Sequence, residues 1–315
     1  RVVDEQDLGT VWPGVGHLPI VRRPDRSSGT GPCHDADVAD TAEVSDAQET
    51  PDTADVSPVM DGIENFRGIG GLPTTDARAT ATGLLWRSGH LARATDADLA
   101  RLHALGMRTV VDLRTDHDLA ADGPDRVAEG IDEVAVPISD DSGLGAEIRA
   151  LIMGGDLASM REAWGDGRAL AISTAGARRM ATDPGQVATF RRVVDVVTDP
   201  DRWPVVWHCS AGKDRAGWTA TVVLLALGVE RDAIVVHYLE SNRGAARSAA
   251  AMVDRGWMSE EALELARPFM EVAPGYIEAQ LAAVDDHWGG ASSMLRDGFG
   301  FTDQRLADLR DRLLD

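Results

Sequence analysis

Residues 205–217 read Val205-Val206-Trp207-His208-Cys209-Ser210-Ala211-Gly212-Lys213-Asp214-Arg215-Ala216-Gly217, and an apolar run continues from Trp218 to Gly228. The β-branched and apolar residues that open this stretch predict a buried strand, and the apolar run predicts a helix. The residues between them must turn tightly, so backbone N–H groups of the turn and of the first helical turn point toward one spot. This arrangement predicts a binding site for an anion, in particular a phosphate.

Two side chains of the loop can act on a bound phosphate. Cys209 lies where a helix N-terminus and a nearby cation favour the thiolate, which is the nucleophilic form of cysteine. Arg215 can hold two phosphoryl oxygens through its planar guanidinium, which a lysine could not do. The loop therefore predicts a nucleophile and an anion-binding arginine that face each other across the phosphate.

The spacing Cys-x5-Arg is the signature of cysteine-dependent phosphatases. The longer string His-Cys-x-x-Gly-Lys-Asp-Arg-x-Gly-Trp, residues 208–218, resembles the bacterial atypical tyrosine and phosphoinositide phosphatases, the family of the mycobacterial protein tyrosine phosphatase B. The resemblance extends over residues 63–315. It implies an α/β fold with a central, mostly parallel sheet flanked by helices, a helical lid and C-terminal helices.

The catalytic residues follow from the loop and from this resemblance. Cys209 is expected to attack phosphorus while Arg215 and the loop amides hold the oxygens, which forms a phosphocysteine that water then hydrolyses. Asp214 is expected to be the general acid that protonates the leaving group. Three other carboxylates remain alternatives for this role: Asp112, Asp140 and Asp141.

Other residues are predicted to surround the substrate. His208 is expected to support Cys209 by hydrogen bonding, the alternative being an ordinary core histidine. The motifs at 65–67 and 112–114 are similar to family motifs, although each could instead tie a loop or form a salt bridge. The predicted substrate-binding residues besides His208 are Ser210, Ala211, Gly212, Lys213, Ala216, Asp112, Arg114, Asn65 and Arg67.

Two positions depart from the family pattern. Gly68 stands where the family has an aspartate, so any role of that carboxylate is lost. Ala216 stands where a serine or threonine usually follows the arginine, and that hydroxyl can stabilise the thiolate as it leaves the phosphoenzyme. We therefore expect slow hydrolysis of the phosphocysteine.

Composition excludes some classes of protein. The 315 residues carry 52 acidic and 31 basic side chains, a net charge of −21, which argues against sequence-independent binding of nucleic acid. No apolar run is long enough for stable membrane insertion, and no signal segment opens the sequence. The two cysteines, Cys33 and Cys209, have no metal-type partners at short spacing and suit a reducing cytoplasm. We expect no cofactor and no metal, and the oligomeric state stays open.

The chain divides by composition into a tail and a domain. Between Asp35 and Asp61 there are nine acidic residues and no lysine or arginine, which predicts an acidic disordered tail over residues 1–60. Residues 61–315 are predicted to form the phosphatase domain. Within it we expect strands at 84–88, 109–114 and 134–138, a helix at 184–198, and helices covering the site from 142–183 and 244–270.

The sequence favours tyrosine-protein phosphatase activity and leaves alternatives. Lys213, the single lysine of the chain, suits substrates with more than one phosphate, such as phosphoinositides, as well as phosphotyrosine. One alternative is a phosphatase of small molecules, such as a nucleotide or a sugar phosphate of a biosynthetic pathway. The other is a phosphate-binding module without turnover, because Gly68 and Ala216 depart from the family.

Overall fold

The computed structural model describes residues 57–139, 143–243 and 252–315. Its strands are β1 (Arg67–Gly68), β2 (Leu85–Ser88), β3 (Thr109–Asp112), β4 (Asp132–Ala135) and β5 (Val205–His208). Its α-helices before β5 are α1 (Asp96–Ala104), α2 (Asp116–Asp122), α3 (Leu144–Gly154), α4 (Leu157–Trp164), α5 (Arg168–Thr182) and α6 (Pro184–Val197). Those after β5 are α7 (Arg215–Leu227), α8 (Arg231–Leu239), α9 (Glu260–Met270), α10 (Pro274–Trp288), the short α11 (Ala291–Ser293) and α12 (Asp303–Leu313).

The five strands form one sheet in the order β1-β2-β5-β3-β4. Only β1 is antiparallel to its neighbour, and the other pairs are parallel. The register places the last residues of three strands side by side, since His208 pairs with both Ser88 and Asp112. The segments that follow β2, β3 and β5 therefore leave the sheet at one edge, where open α/β sheets place their ligands.

Both faces of the sheet are covered. Val205 and Trp207 of β5 belong to the larger apolar core, which includes α6, α7, α8 and α10. Val206 points to the opposite face and packs in a second cluster with Leu102 of α1. All residues of α7 after its first are buried. This helix was predicted from its unbroken apolar run, and the core position explains that run.

A third apolar cluster lies in the helices α4, α5 and α9. Met160 and Trp164 of α4 and Ala262 and Ala266 of α9 are its buried members from those two helices. These helices fall in the segments predicted to cover the site. Residues 140–142 and 244–251, which include the alternative acids Asp140 and Asp141 and part of the predicted lid, lie outside the described residues.

The predicted α/β architecture and the element types are confirmed, with shifted boundaries. The strand predicted at 134–138 is β4, which begins at Asp132 and ends at Ala135. Pro137 has no N–H to offer the sheet, although Val136 N and Ile138 N still donate to the carbonyls of Asp112 and Leu113. The predicted tail, apart from residues 57–60, lies outside the described residues, so its boundary stays a prediction.

In the part of the chain that the structure describes, no helix combines the length and apolar character needed to cross a membrane.

Candidate active site

The loop that is predicted to bind phosphate, residues 209–215 and called the phosphate loop below, connects β5 to α7. Cys209 directly follows the last residue of β5, and Arg215 is the first residue of α7. Gly212 has a φ of +70°, and a Cβ there would lie 2.3 Å from the carbonyl of Ser88. The loop thus turns against the end of β2 so closely that only glycine fits at this position.

The carbonyl groups of the loop are held from outside. The Asn65 side-chain amide donates to the carbonyls of Ala211 (3.1 Å) and Gly212 (2.9 Å). The Ser210 carbonyl accepts from the backbone N–H of His90 at 3.0 Å. In a planar trans peptide the N–H points opposite to the C=O. Carbonyls fixed on the outside therefore leave the N–H groups of the same peptides to the interior of the loop, as an anion site requires.

Cys209 and Arg215 are both at this loop, and both are largely buried. Cys209 is 3% exposed. The Nη1 of Arg215 donates to Asp118 Oδ2 at 2.7 Å and to the carbonyl of Leu113 at 3.3 Å. Burial opposes the charge of Arg215, but negative charge at Cys209 and the bond to Asp118 outweigh it and raise the pKa of the guanidinium.

Asp118 was not anticipated by the sequence reasoning. It lies in α2, where its carboxylate also accepts from Thr115 N (3.0 Å) as part of a capping box. Burial raises the pKa of Asp118, but the hydrogen bond and charge of Arg215 hold it well below the usual range. Asp118 is therefore a carboxylate at neutral pH that orients Arg215.

A second arginine meets the loop from α3. The Nη2 of Arg149 donates to the Ser210 hydroxyl at 3.0 Å, and its Nη1 donates to Asp122 Oδ1 at 2.8 Å. The Ser210 hydroxyl in turn donates to Asp118 Oδ1 at 3.3 Å. Burial acts against ionisation of Asp122, but Arg149 lowers its pKa below the usual value. This network links the helices that follow β3 and β4 to the phosphate loop.

Asp214 and Lys213 form a pair at the mouth of the loop. The Nζ of Lys213 lies 3.2 Å from Asp214 Oδ2 and donates to the Glu271 carbonyl at 3.4 Å. Asn242 holds the neighbouring Val272, because its amide donates to the Val272 carbonyl and accepts from its N–H, both at 2.8 Å. The side chain of Asp214 remains 45% exposed, whereas that of Lys213 is only 9% exposed.

Behind the loop, His208 and the motif at 112–114 form one buried network. His208 Nδ1 lies 3.2 Å from the Cys209 carbonyl, and its Nε2 lies 3.0 Å from Asp125 Oδ2. The guanidinium of Arg114 contacts Asp125 (2.9 Å) and makes several bonds to Asp112. Burial raises the pKa of Asp125, but His208 and Arg114 lower it below its usual value.

This network bears on the question of metal binding. Among the described residues, Asp112, Asp125 and His208 are the one group whose ligand atoms lie close enough to share an ion. Arg114, whose side chain has no exposed surface, already bridges both carboxylates. The cation that balances these carboxylates is a guanidinium, and the cluster meets Cys209 through the contact of His208 with its carbonyl.

The predicted Asn65 and Arg67 also lie against the loop from behind. Asn65 has a φ of 57°, a left-handed conformation that asparagine tolerates. Arg67 Nη1 donates to the side-chain oxygen of Asn65, and its Nη2 donates to the Ser241 hydroxyl at 2.9 Å. Gly68, which replaces the family's aspartate, pairs with Trp86 in the sheet. Arg67 thus orients the amide that holds the loop carbonyls.

Ala216 is the buried second residue of α7. Its carbonyl accepts from the indole N–H of Trp207 at 3.0 Å. Its methyl group offers no hydrogen bond toward the thiol.

The structure therefore collects the predicted residues at one edge of the sheet and adds others. The residues that sequence reasoning did not single out are Arg87, Asp118, Asp122, Asp125 and Arg149. Asp118 could have been identified as a candidate from the sequence, because its helix directly follows the predicted strand that ends at Arg114.

Most of the chain is similar in sequence to tyrosine phosphatases. The family model described as "Tyrosine phosphatase family" matches residues 58–315. The chain is 31% identical over 280 residues to the triple specificity protein phosphatase PtpB of Mycobacterium tuberculosis, covering 81% of this chain and 98% of that protein. It is 34% identical over 256 residues to an inferred tyrosine-protein phosphatase of Cupriavidus necator, covering 76% and 82%. A tyrosine-protein phosphatase of Nostoc commune is 29% identical over 253 residues, covering 76% and 78%.

Proposed function

Because the chain belongs to the tyrosine phosphatase family, we propose that it hydrolyses phosphotyrosine through a phosphocysteine formed on Cys209. Enzymes of this family are phosphoric monoester hydrolases that act on phosphorylated substrates, and this chain is one of them. The observation that carries the proposal is the loop itself, in which Cys209 and Arg215 flank backbone amides whose carbonyls are held outward.

In the first half-reaction, the Sγ of Cys209 attacks phosphorus in line with the bond to the leaving oxygen. The S–P bond forms as the P–O bond breaks, and Asp214 gives its proton to the leaving oxygen. Arg215 and the loop amides hold the other three oxygens. All hydrogen bonds that the described residues make with the Arg215 guanidinium fall on Nη1, so its Nε and Nη2 can serve the phosphoryl group.

In the second half-reaction, a water molecule attacks the phosphocysteine. The Asp214 carboxylate takes a proton from that water, the S–P bond breaks, and the thiolate and inorganic phosphate are released. Ala216 offers no hydroxyl to the departing sulfur, which supports slow turnover of the phosphoenzyme.

Activity on substrates with a second phosphate, including phosphoinositides, is part of the proposal and depends on Lys213. Its ammonium is engaged by Asp214 and the Glu271 carbonyl and is largely buried. A second phosphate would have to draw the ammonium away from Asp214. Binding of phosphotyrosine does not require Lys213 to leave Asp214, and this difference favours phosphotyrosine as the preferred substrate.

A substrate panel tests the proposal. Initial rates should be measured for the wild type and Cys209→Ser on a phosphotyrosine peptide, a phosphoserine peptide, phosphatidylinositol phosphates, nucleoside monophosphates and sugar phosphates. We expect the phosphotyrosine peptide to give the highest kcat/KM, with no turnover by Cys209→Ser. A preference for nucleotides or sugar phosphates would instead identify a small-molecule phosphatase. No turnover of any phosphomonoester would identify a phosphate-binding module.

A further inference from the structure

Arg87 is a buried arginine that the mechanism above does not use. It is the third residue of β2 and pairs with Trp207 in β5. It has 0% exposure, and no carboxylate of the described residues lies within ion-pairing distance of it. Its Nε and Nη1 are buried without a hydrogen-bond partner. Burying a cation without an ion-pair partner costs folding free energy, so we infer that Arg87 serves a function at this position.

The Arg87 guanidinium lies directly behind the phosphate loop. Its Nη2 donates to the carbonyls of Gly212 (2.7 Å) and Lys213 (3.1 Å) and lies 3.4 Å from the Ser241 hydroxyl. With Asn65, which also donates to the Gly212 carbonyl, it turns these carbonyls away from the anion site.

The charge of Arg87 acts on the same site. Burial lowers its pKa to about 10, which leaves it positive at neutral pH. The attraction of nearby acidic side chains, Cys209 foremost, opposes this shift. The guanidinium bonds the carbonyl of Gly212, three residues after Cys209, so its positive charge lies behind the anion site and attracts a phosphate or another anion there. The other charged side chains at the loop, which are Lys213, Asp214, Arg215 and Asp118, stay unchanged in an Arg87 variant, as does the imidazole of His208.

The room for this guanidinium depends on Gly217 in the first turn of α7. A Cβ at that position would lie 3.0 Å from Arg87 Nη2 and 3.2 Å from a ring carbon of Tyr238. Glycine is less favourable than alanine within a helix. The space that Gly217 leaves for Arg87 accounts for a glycine at this helical position.

We propose that Arg87 is the positioning residue of the phosphate loop, orienting the Gly212 and Lys213 peptides and supplying the positive charge behind Cys209. The proposal rests on the phosphatase function above, and it places the stabilisation of the thiolate partly in β2, outside the loop.

The pH profile of Cys209 alkylation by iodoacetamide tests the charge, and protection of Cys209 by inorganic phosphate tests the loop geometry. In Arg87→Gln the midpoint of the profile should rise by about one pH unit, as expected for loss of one nearby charge. Phosphate should also protect the thiol about tenfold less well. Arg87→Lys keeps the charge, so it should retain the wild-type midpoint and lose phosphate protection. Arg78→Gln, a matched arginine whose partner is the surface residue Asp76, should match the wild type in both measurements.

A wild-type midpoint and wild-type phosphate protection in folded Arg87→Gln would overturn the proposal. If Arg87→Gln does not fold, Arg87→Lys and Gly217→Ala test the loop-positioning role. Arg87→Lys replaces the guanidinium by an ammonium group and Gly217→Ala crowds it with a methyl group, and both leave a cation in place. Both should lose phosphate protection at the wild-type midpoint, and full protection in both would overturn the loop-positioning role. Neither readout needs turnover, so these results stay distinct from failure of the proposed function, in which the wild type would hydrolyse nothing.

Discussion

The Arg215 guanidinium lies 2.7 Å from the Asp118 carboxylate, so Arg215 is oriented by the helix that follows β3. Asp118 is itself held by Thr115 in the capping box that starts this helix. The cap fixes the carboxylate, the carboxylate fixes one side of the guanidinium, and the other side would hold the phosphoryl group in the proposed reaction. Helix capping and the orientation of Arg215 therefore depend on the same side chain.

Replacing Asp118 should impair catalysis more than folding. In Asp118→Asn the amide keeps its size but loses the charge that aligns Arg215, so we expect kcat/KM to fall about 10- to 100-fold. Asp116→Asn changes the exposed aspartate two residues earlier in the same helix and serves as the matched control. Steady-state kinetics on a phosphotyrosine peptide compare the two variants, and equal losses would refute a specific role for Asp118.

Acid should destabilise the protein through the site carboxylates. The pKa values of Asp118, Asp122 and Asp125 are lowered in the folded state, whereas an unfolded aspartate titrates at about 4. A lowered folded pKa adds stability that is present above the unfolded pKa and lost as pH falls through the folded pKa. Urea unfolding should thus show that Asp118→Asn is less stable than wild type at pH 7, with the gap closing below about pH 4. A gap that is unchanged at pH 3 would contradict this linkage.

Gly212 should tolerate no side chain. Gly212→Ala would place a methyl group 2.3 Å from the backbone of Ser88 at a φ of +70°, so the loop must open and we expect activity to fall more than about 100-fold. Gly130→Ala is the matched control, since its φ is +87° and no atom lies within 4 Å of the new methyl group. The control should lose only about 1 kcal/mol of stability and keep full activity. Comparable activity in both variants would show that the loop does not need this close approach.

A hydroxyl at position 216 should speed the second half-reaction. The wild type is expected to release a burst of leaving group and then turn over slowly, and Ala216→Ser should raise the steady-state rate about tenfold by stabilising the departing thiolate. Ala220→Ser is the matched control, because it adds the same hydroxyl one helical turn later at a similarly buried position. Stopped-flow measurements separate burst from steady state. Absence of a burst in the wild type, together with no gain in Ala216→Ser, would show that phosphoenzyme hydrolysis is not limiting.

The phosphate loop and its sheet could be predicted from local patterns. A β-branched run, a tight turn around Gly212 and a long apolar run have few structural solutions, and the placement of Asp112 and Ser88 beside His208 follows from parallel pairing. The end of the strand predicted at 134–138 was harder to place. Hydrogen bonds to Asp112 and Leu113 continue past the regular strand on either side of Pro137.

The residues around the loop could not be predicted in the same way. Asp118 falls in a pattern, Thr115-x-x-Asp118, that a helix cap alone explains, so its second role is visible only from the distance to Arg215. Arg149 lies in a segment without a clean apolar period, and nothing local indicates that it reaches Ser210, 61 residues later. Arg87 sits within a buried strand, and its contacts to Gly212 depend on the strand order.

In the proposed reaction the phosphoryl group passes through Cys209, and trapping the phosphoenzyme tests this step most directly. Wild-type protein should be mixed with excess phosphotyrosine peptide, quenched during the burst and digested, and the peptide containing Cys209 examined by mass spectrometry. We predict that this peptide carries one added phosphoryl group, and that Cys209→Ser carries none while still binding vanadate. Turnover of the peptide without any phosphoryl group on Cys209, or undiminished turnover by Cys209→Ser, would contradict the account.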